Sequence, residues 1–163
     1  ENTGSHHSPE RLVMKHTLRS SIIGLLLVTI VLGPSAQASE PVGFVKTVSG
    51  QAEVITAGQS VAAAVGTPVF QGSALRTRAA SSLGVTFRDN TVMSFGPDTE
   101  LTVDEFLYQP TQGRLKFGTR MSKGTLNYVS GAIARLQPDA VTVSTPTGTI
   151  GVRGTQFLLK VQE

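Results

Sequence analysis

The sequence predicts an all-β protein of short strands, and three observations carry that prediction. From Val42 onward apolar residues alternate with polar ones: Leu83, Val85 and Phe87 share one face, as do Met93 and Phe95, Leu101 and Val103, Val141 and Val143, then Phe157, Leu159 and Val161. Successive side chains of a strand point to opposite faces, so a period of two marks ribbons with one buried side. Between these runs stand Arg88-Asp89-Asn90, Gly96-Pro97-Asp98, Gln109 to Gly113, Gly131, Gln137-Pro138-Asp139 and Thr147-Gly148. Such residues tolerate an unusual φ or fix it, and so mark turns. Finally, no long stretch keeps the i, i+3, i+4, i+7 apolar spacing of an amphipathic helix, while Thr and Val are plentiful. Short strands about 8 to 12 residues apart, with no crossover helices, exclude the doubly wound nucleotide folds.

Taken in order, Val45 to Val54 reads as a strand, a Gly50 turn and a second strand, and a weaker version of that phrase recurs at Met121 to Ile133. This faint repeat favours short strands stacked as a β-solenoid or β-roll, with a β-sandwich as the alternative. Ala57 to Gly66 is small and apolar and reads as a loop with a loose strand rather than a domain boundary. Residues 39–163 then form one domain, large enough to bury a core.

Residues ahead of position 39 read as something else. Lys15 and Arg19 precede the apolar run Ile22 to Leu32, and Ala36 and Ala38 supply the small residues a signal peptidase reads. Residues 14–38 are therefore expected to be a Sec-type signal peptide cleaved after Ala38, and residues 1–13 to be upstream or extraneous to the fold. The run is too short to cross about 30 Å of hydrocarbon as a helix, so no stable transmembrane anchor is expected. The expected location is the periplasm. His6, His7 and His16 are the only histidines and there is no cysteine. The domain thus lacks the residues for Ser-His or Cys-His nucleophiles and for the usual zinc sites. A net charge of only +3, scattered along the chain, gives no argument for a nucleic-acid partner.

Two segments carry a longer pattern. The first, Phe87-Arg88-Asp89-Asn90-Thr91-Val92-Met93-Ser94-Phe95-Gly96-Pro97-Asp98-Thr99-Glu100-Leu101, resembles the strand, Asp-Gly-Thr turn, strand, Gly-Pro and strand of the FecR domain family. Asn90 stands where the family usually has Gly, and Asn is the residue that best replaces Gly at left-handed φ. The second is Val143 to Phe157, with Thr145-Pro146 and Val152-Arg153-Gly154-Thr155. The resemblance implies periplasmic sensors that contact the signalling domain of an outer-membrane receptor and pass its state through a membrane helix to a cytoplasmic anti-sigma segment. Too few residues precede the apolar run for such a segment, so the implied protein is a stand-alone exported FecR-type domain. The family pattern continues past the Arg-Gly-Thr strand, which makes this chain read as a fragment of a longer one.

The candidate interaction residues are Asp89, Asn90 and Thr91 in the first motif, and Thr145, Pro146, Gly151, Arg153, Gly154 and Thr155 in the second. Each has a structural reading beside it. Gly148, Gly151 and Gly154 lack the following helix and the Lys-Ser or Lys-Thr of a phosphate loop, and read as turn glycines. Arg153 presents five donors, for a partner or for carbonyls of its own turn, and the second use is favoured. Asp104 and Glu105, as neighbours in a strand, are expected to face opposite ways and so not to form a glycosidase pair. Asp89, Asp98 and Asp104 lack calcium-loop spacing. Arg114, Lys116, Arg120 and Lys123, interleaved with Leu115, Phe117 and Met121, read as a solvated strand face.

No cofactor, metal or catalytic residue is expected. Tyr108 and Tyr128 would have to serve any carboxylate and phenol hydrolase, and no spacing places such a pair. The expected function is a non-enzymatic envelope module that binds a protein partner by strand addition or by its loops, in signalling or protein interaction. The alternative is a cell-wall or glycan-binding module.

Overall fold

A computed structural model describes residues 39–154 and 156–162. The expected extraneous residues 1–13 and signal peptide 14–38 lie outside the described residues, and so does Thr155. The elements are β1 (Gly43–Ser49), β2 (Ala52–Thr56), β3 (Gln59–Ala62), β4 (Pro68–Val69), β5 (Ala74–Thr77), β6 (Ser82–Phe87), β7 (Val92–Phe95), β8 (Glu100–Gln109), β9 (Arg114–Val129), α1 (Ala132–Leu136), β10 (Val141–Thr145), β11 (Gly148–Gly151) and β12 (Gln156–Val161). The all-β class expected from the alternation is observed. Leu83, Val85, Phe87, Met93, Phe95, Leu101, Val103, Val141 and Val143 are all buried, as their period predicts.

The sheet is continuous and curls around one core, and its hinge is the 16-residue strand β9. The first half of β9 lies between β8 and β10, and its second half lies between β7 and β12. One wing therefore runs β4-β1-β6-β7-β9-β12, and the other β3-β2-β5-β8-β9-β10-β11. Phe87 of the first wing meets Phe117 of the second at 4.8 Å between ring centres, and Phe106 packs on Phe117 at 5.1 Å. These contacts close the two wings over a shared interior.

Two sequence expectations change. The Met121 to Ile133 phrase does not repeat Val45 to Val54, because β9 runs unbroken to Val129 and α1 follows. Stacked rungs would pair in parallel, whereas among the described residues only β10 with β9 does so. The Val45 to Val54 phrase is the strand, Gly50 turn (φ +74) and strand that the sequence predicts; β1 pairs with β4 and β6, β2 with β3 and β5, so this corner carries the chain from one wing to the other.

Where β9 passes between wings, Gly124 has φ +97, and a Cβ there would stand 2.3 Å from Thr99 Cα. Only glycine allows both the left-handed backbone and that approach. Thr99 fastens the bend, its hydroxyl donating to Gly96 O (2.9 Å) and accepting from Thr125 N–H (3.0 Å).

Candidate functional site

The first motif folds as a buried turn joining β6 to β7. Asn90 takes φ +65, the conformation that makes Asn an acceptable substitute for Gly. Asp89 is fully buried, and its carboxyl group accepts three hydrogen bonds: Thr91 N–H at 3.0 Å, Thr91 hydroxyl at 2.8 Å and Ile133 N–H at 3.3 Å. Thr91 Oγ1 in turn accepts from Gly131 N–H at 3.1 Å, and Ala132 N–H donates to Asp89 O at 2.7 Å. The turn therefore caps the backbone that leads from β9 into α1. Gly131 leaves room for this, since a Cβ would meet Thr91 N at 2.3 Å and Asp89 O at 2.4 Å. Asp89 and Thr91 hold the fold and present nothing to a partner, whereas Asn90 is exposed.

Tyr128 closes the same cluster from β9, stacked on Phe157 at 4.9 Å. Burial pushes its phenol up to about 12; the nearby Thr91 hydroxyl offsets part of the rise and the charge of Asp89 adds to it. The Thr91 hydroxyl donates to Asp89, and Tyr128 Oη is left without a hydrogen bond of good geometry. An unfolded phenol ionises near 10, so the native state keeps this proton longer than the unfolded chain. The stabilisation is complete below about pH 10 and is lost as pH rises from about 10 to 12. Phenolate absorbance is expected to show one tyrosine ionising only near pH 12, with the urea midpoint falling over the same interval. A midpoint unchanged across that window would contradict the burial of Tyr128.

The second motif is the opposite case, an exposed hairpin. β10 and β11 pair from Thr142 with Gly151 to Thr145 with Gly148, leaving Pro146 and Thr147 at the tip. Thr145 hydroxyl donates to Gly148 O at 3.0 Å, which fastens the turn. Val152 is the anchor, buried and donating its N–H to Val141 O at 3.1 Å. Arg153 does not clamp carbonyls of its own turn: its guanidinium pairs with the Asp139 carboxylate at 2.6 Å, both side chains largely exposed. Ser130 hydroxyl donates to Gly154 O. Gly148, Gly151 and Gly154 have no positive φ, and a Cβ on any of them would meet nothing within 4 Å. Their reading as turn glycines thus finds no conformational requirement in the domain itself.

β11 ends one wing and β12 the other, so each has an edge with no neighbouring strand among the described residues. Between them lies an open cleft of about 500 Å³, walled by Thr147, Thr149 and Ile150 on one side and Leu159, Lys160 and Val161 on the other. Leu158 of β12 is 81% exposed. The hairpin and β12 thus present apolar side chains beside unpaired backbone, a geometry suited to receiving an extended segment.

The charged residues sort differently. Lys116 pairs with Glu105 at 2.9 Å and Arg120 with Asp104 at 3.0 Å, so these two cations of β9 are exposed and locally charge-balanced. Asp104 and Glu105 do not face opposite ways, since they reach two cations that share a face of β9. The cause is a bulge between Val103 and Glu105, which breaks the alternation the sequence led us to expect. Asp89, Asp98 and Asp104 occupy three separate places: the buried β6–β7 turn, the β7–β8 turn and the outer face of β8.

The family model described as FecR protein matches residues 73–163, from just ahead of β5 through β12. The chain belongs to the FecR family. No curated protein and no solved structure matches it. The matched part of this FecR domain includes the Asp89 turn, the shared strand β9 and the β10–β11 hairpin, while β1 to β4 precede it. Membership makes the chain part of a signalling and regulatory family. None of its described helices is long and apolar enough to cross a membrane.

Proposed function

We propose that this FecR domain is an exported, periplasmic and non-catalytic module of envelope signalling, which binds a protein partner by strand addition at the edges of β11 and β12. The observation that carries the reading is the pairing of two unpaired edges across one cleft, with Ile150 and Leu158 exposed beside them. The glycines of β11 add support, because smooth, uncrowded backbone admits a close neighbouring strand. Asp89 and Thr91 support the module from within, and Pro146, Gly151, Arg153 and Gly154 lie on the surface offered to the partner.

The test is site-specific crosslinking in intact cells. A photoreactive phenylalanine at Thr149 or Leu158 is expected to give one discrete protein adduct, and the same probe at Val61, on the remote β3 edge, none. Adducts of equal yield at Val61, or none at both hairpin and β12 positions, would contradict the reading.

A further inference from the structure

The cleft between β11 and β12 also specifies the kind of segment it receives, an inference that rests on the strand-addition reading above. In the pairing of β12 with β9, Phe157 stands opposite Tyr128, Leu159 opposite Leu126 and Val161 opposite Gly124. Directly opposed residues share one face of a sheet, and Tyr128 and Leu126 are fully buried, so Phe157, Leu159 and Val161 look inward. They are nevertheless only half-buried. On the other wall Ile150 stands opposite the fully buried Val143, faces the same interior and is 37% exposed. Leu159, Val161 and Ile150 all line the cleft, so the interior is left uncovered where both walls are apolar.

The outward face of β12 has a different chemistry. Gln156 is bonded to Asn127 at 3.0 Å, whereas Leu158 meets solvent. Lys160 lines the cleft and has no ion pair among the described residues. A carboxylate directly across from it would find a free cation.

Size limits the occupant to one strand. A strand residue fills about 160 Å³, given a rise of about 3.3 Å, a strand spacing of about 4.8 Å and a sheet thickness of about 10 Å. The cleft of about 500 Å³ therefore holds about three residues of a single chain. The edge of a folded sheet brings a second strand with it and does not fit. Antiparallel is the direction β12 already keeps with β9, and it is the more stable pairing per residue.

We propose that the cleft takes a free extended segment of the partner, antiparallel to β12, with apolar side chains turned inward and a carboxylate turned outward opposite Lys160. In the direction of the partner chain, the residues opposite Val161, Lys160, Leu159, Leu158 and Phe157 are apolar, acidic, apolar, apolar and apolar. A terminus or linker supplies such a segment, whereas a second copy of this domain, its edges already held in sheets, does not.

The isotope-labelled full chain is titrated with the peptide Thr-Val-Glu-Val-Leu-Val-Thr and followed by amide NMR. Saturable shifts are expected in β11 and β12 and none in β3. Replacing the peptide's Glu by Lys is expected to weaken binding about fivefold, and Lys160→Glu to reverse that preference. The reversal compares two peptides on one variant, so a change in that variant's stability does not produce it. Binding indifferent to the peptide's charge in both proteins, or shifts that follow protein concentration as self-association does, would overturn the proposal. Absence of any saturable shift would also overturn it; if a probe at Leu158 still captures a partner in cells, strand addition stands and only the segment described here falls.

Discussion

Asp89→Ala is expected to lower the unfolding free energy by about 3 to 5 kcal/mol, measured by urea denaturation near neutral pH. The carboxyl group receives Thr91 N–H, Thr91 hydroxyl and Ile133 N–H in a place no water reaches by way of an exposed surface, since Asp89, Thr91 and Ile133 are all fully buried. Truncation leaves buried donors unpaired, and an orphaned donor costs about 1 to 3 kcal/mol, much more than the net worth of an average hydrogen bond. The loss also loosens Gly131 and the start of α1, because Thr91 Oγ1 is oriented by its bond to Asp89. Asp89→Asn keeps one acceptor oxygen and should cost less than the alanine change. Variants equal to the parent in urea would show that the turn is not the clasp described above.

Gly124→Ala is expected to cost about 3 to 5 kcal/mol by the same measurement, from two additive sources. Its φ of +97 strains any side chain, and the new Cβ would press on Thr99 Cα and Cβ at 2.3 and 2.6 Å, in backbone that cannot swing aside. Gly113→Ala isolates the first source. Gly113 has φ +64 with nothing within 4 Å, so it should cost only about 1 kcal/mol. A Gly124→Ala loss no larger than that of Gly113→Ala would mean that β9 does not bend against Thr99.

The contrast between these sites explains how much could be read from the chain alone. The strands were legible wherever one face is dry: Leu83, Val85 and Phe87 alternate because their neighbours meet solvent or the opposite side of the sheet. Asn90 was legible as a left-handed turn residue, since that preference is local. Long-range facts were not. Nothing near Gly124 in the sequence announces Thr99, and nothing near Asp89 announces Ile133, because those contacts exist only once the sheet has curled. Asp in a turn ordinarily meets water, so composition pointed Asp89 outward and the fold turned it inward. The bulge after Val103 likewise leaves no mark in residue type, yet it places Asp104 and Glu105 beside cations on one face. The second motif was recognisable by its residues, but its exposure and the lack of any internal need for Gly148, Gly151 and Gly154 emerge only in three dimensions.

β9 gathers one interior, and the strand edges at β11 and β12 are left open. Residue-resolved amide hydrogen exchange tests this most directly. Paired β9 amides on both sides of Gly124 are expected to exchange together, at the rate of global unfolding, while the outward amides of β11 exchange orders of magnitude faster. Two separate exchange rates for the halves of β9, or a β11 edge as protected as β9, would contradict it.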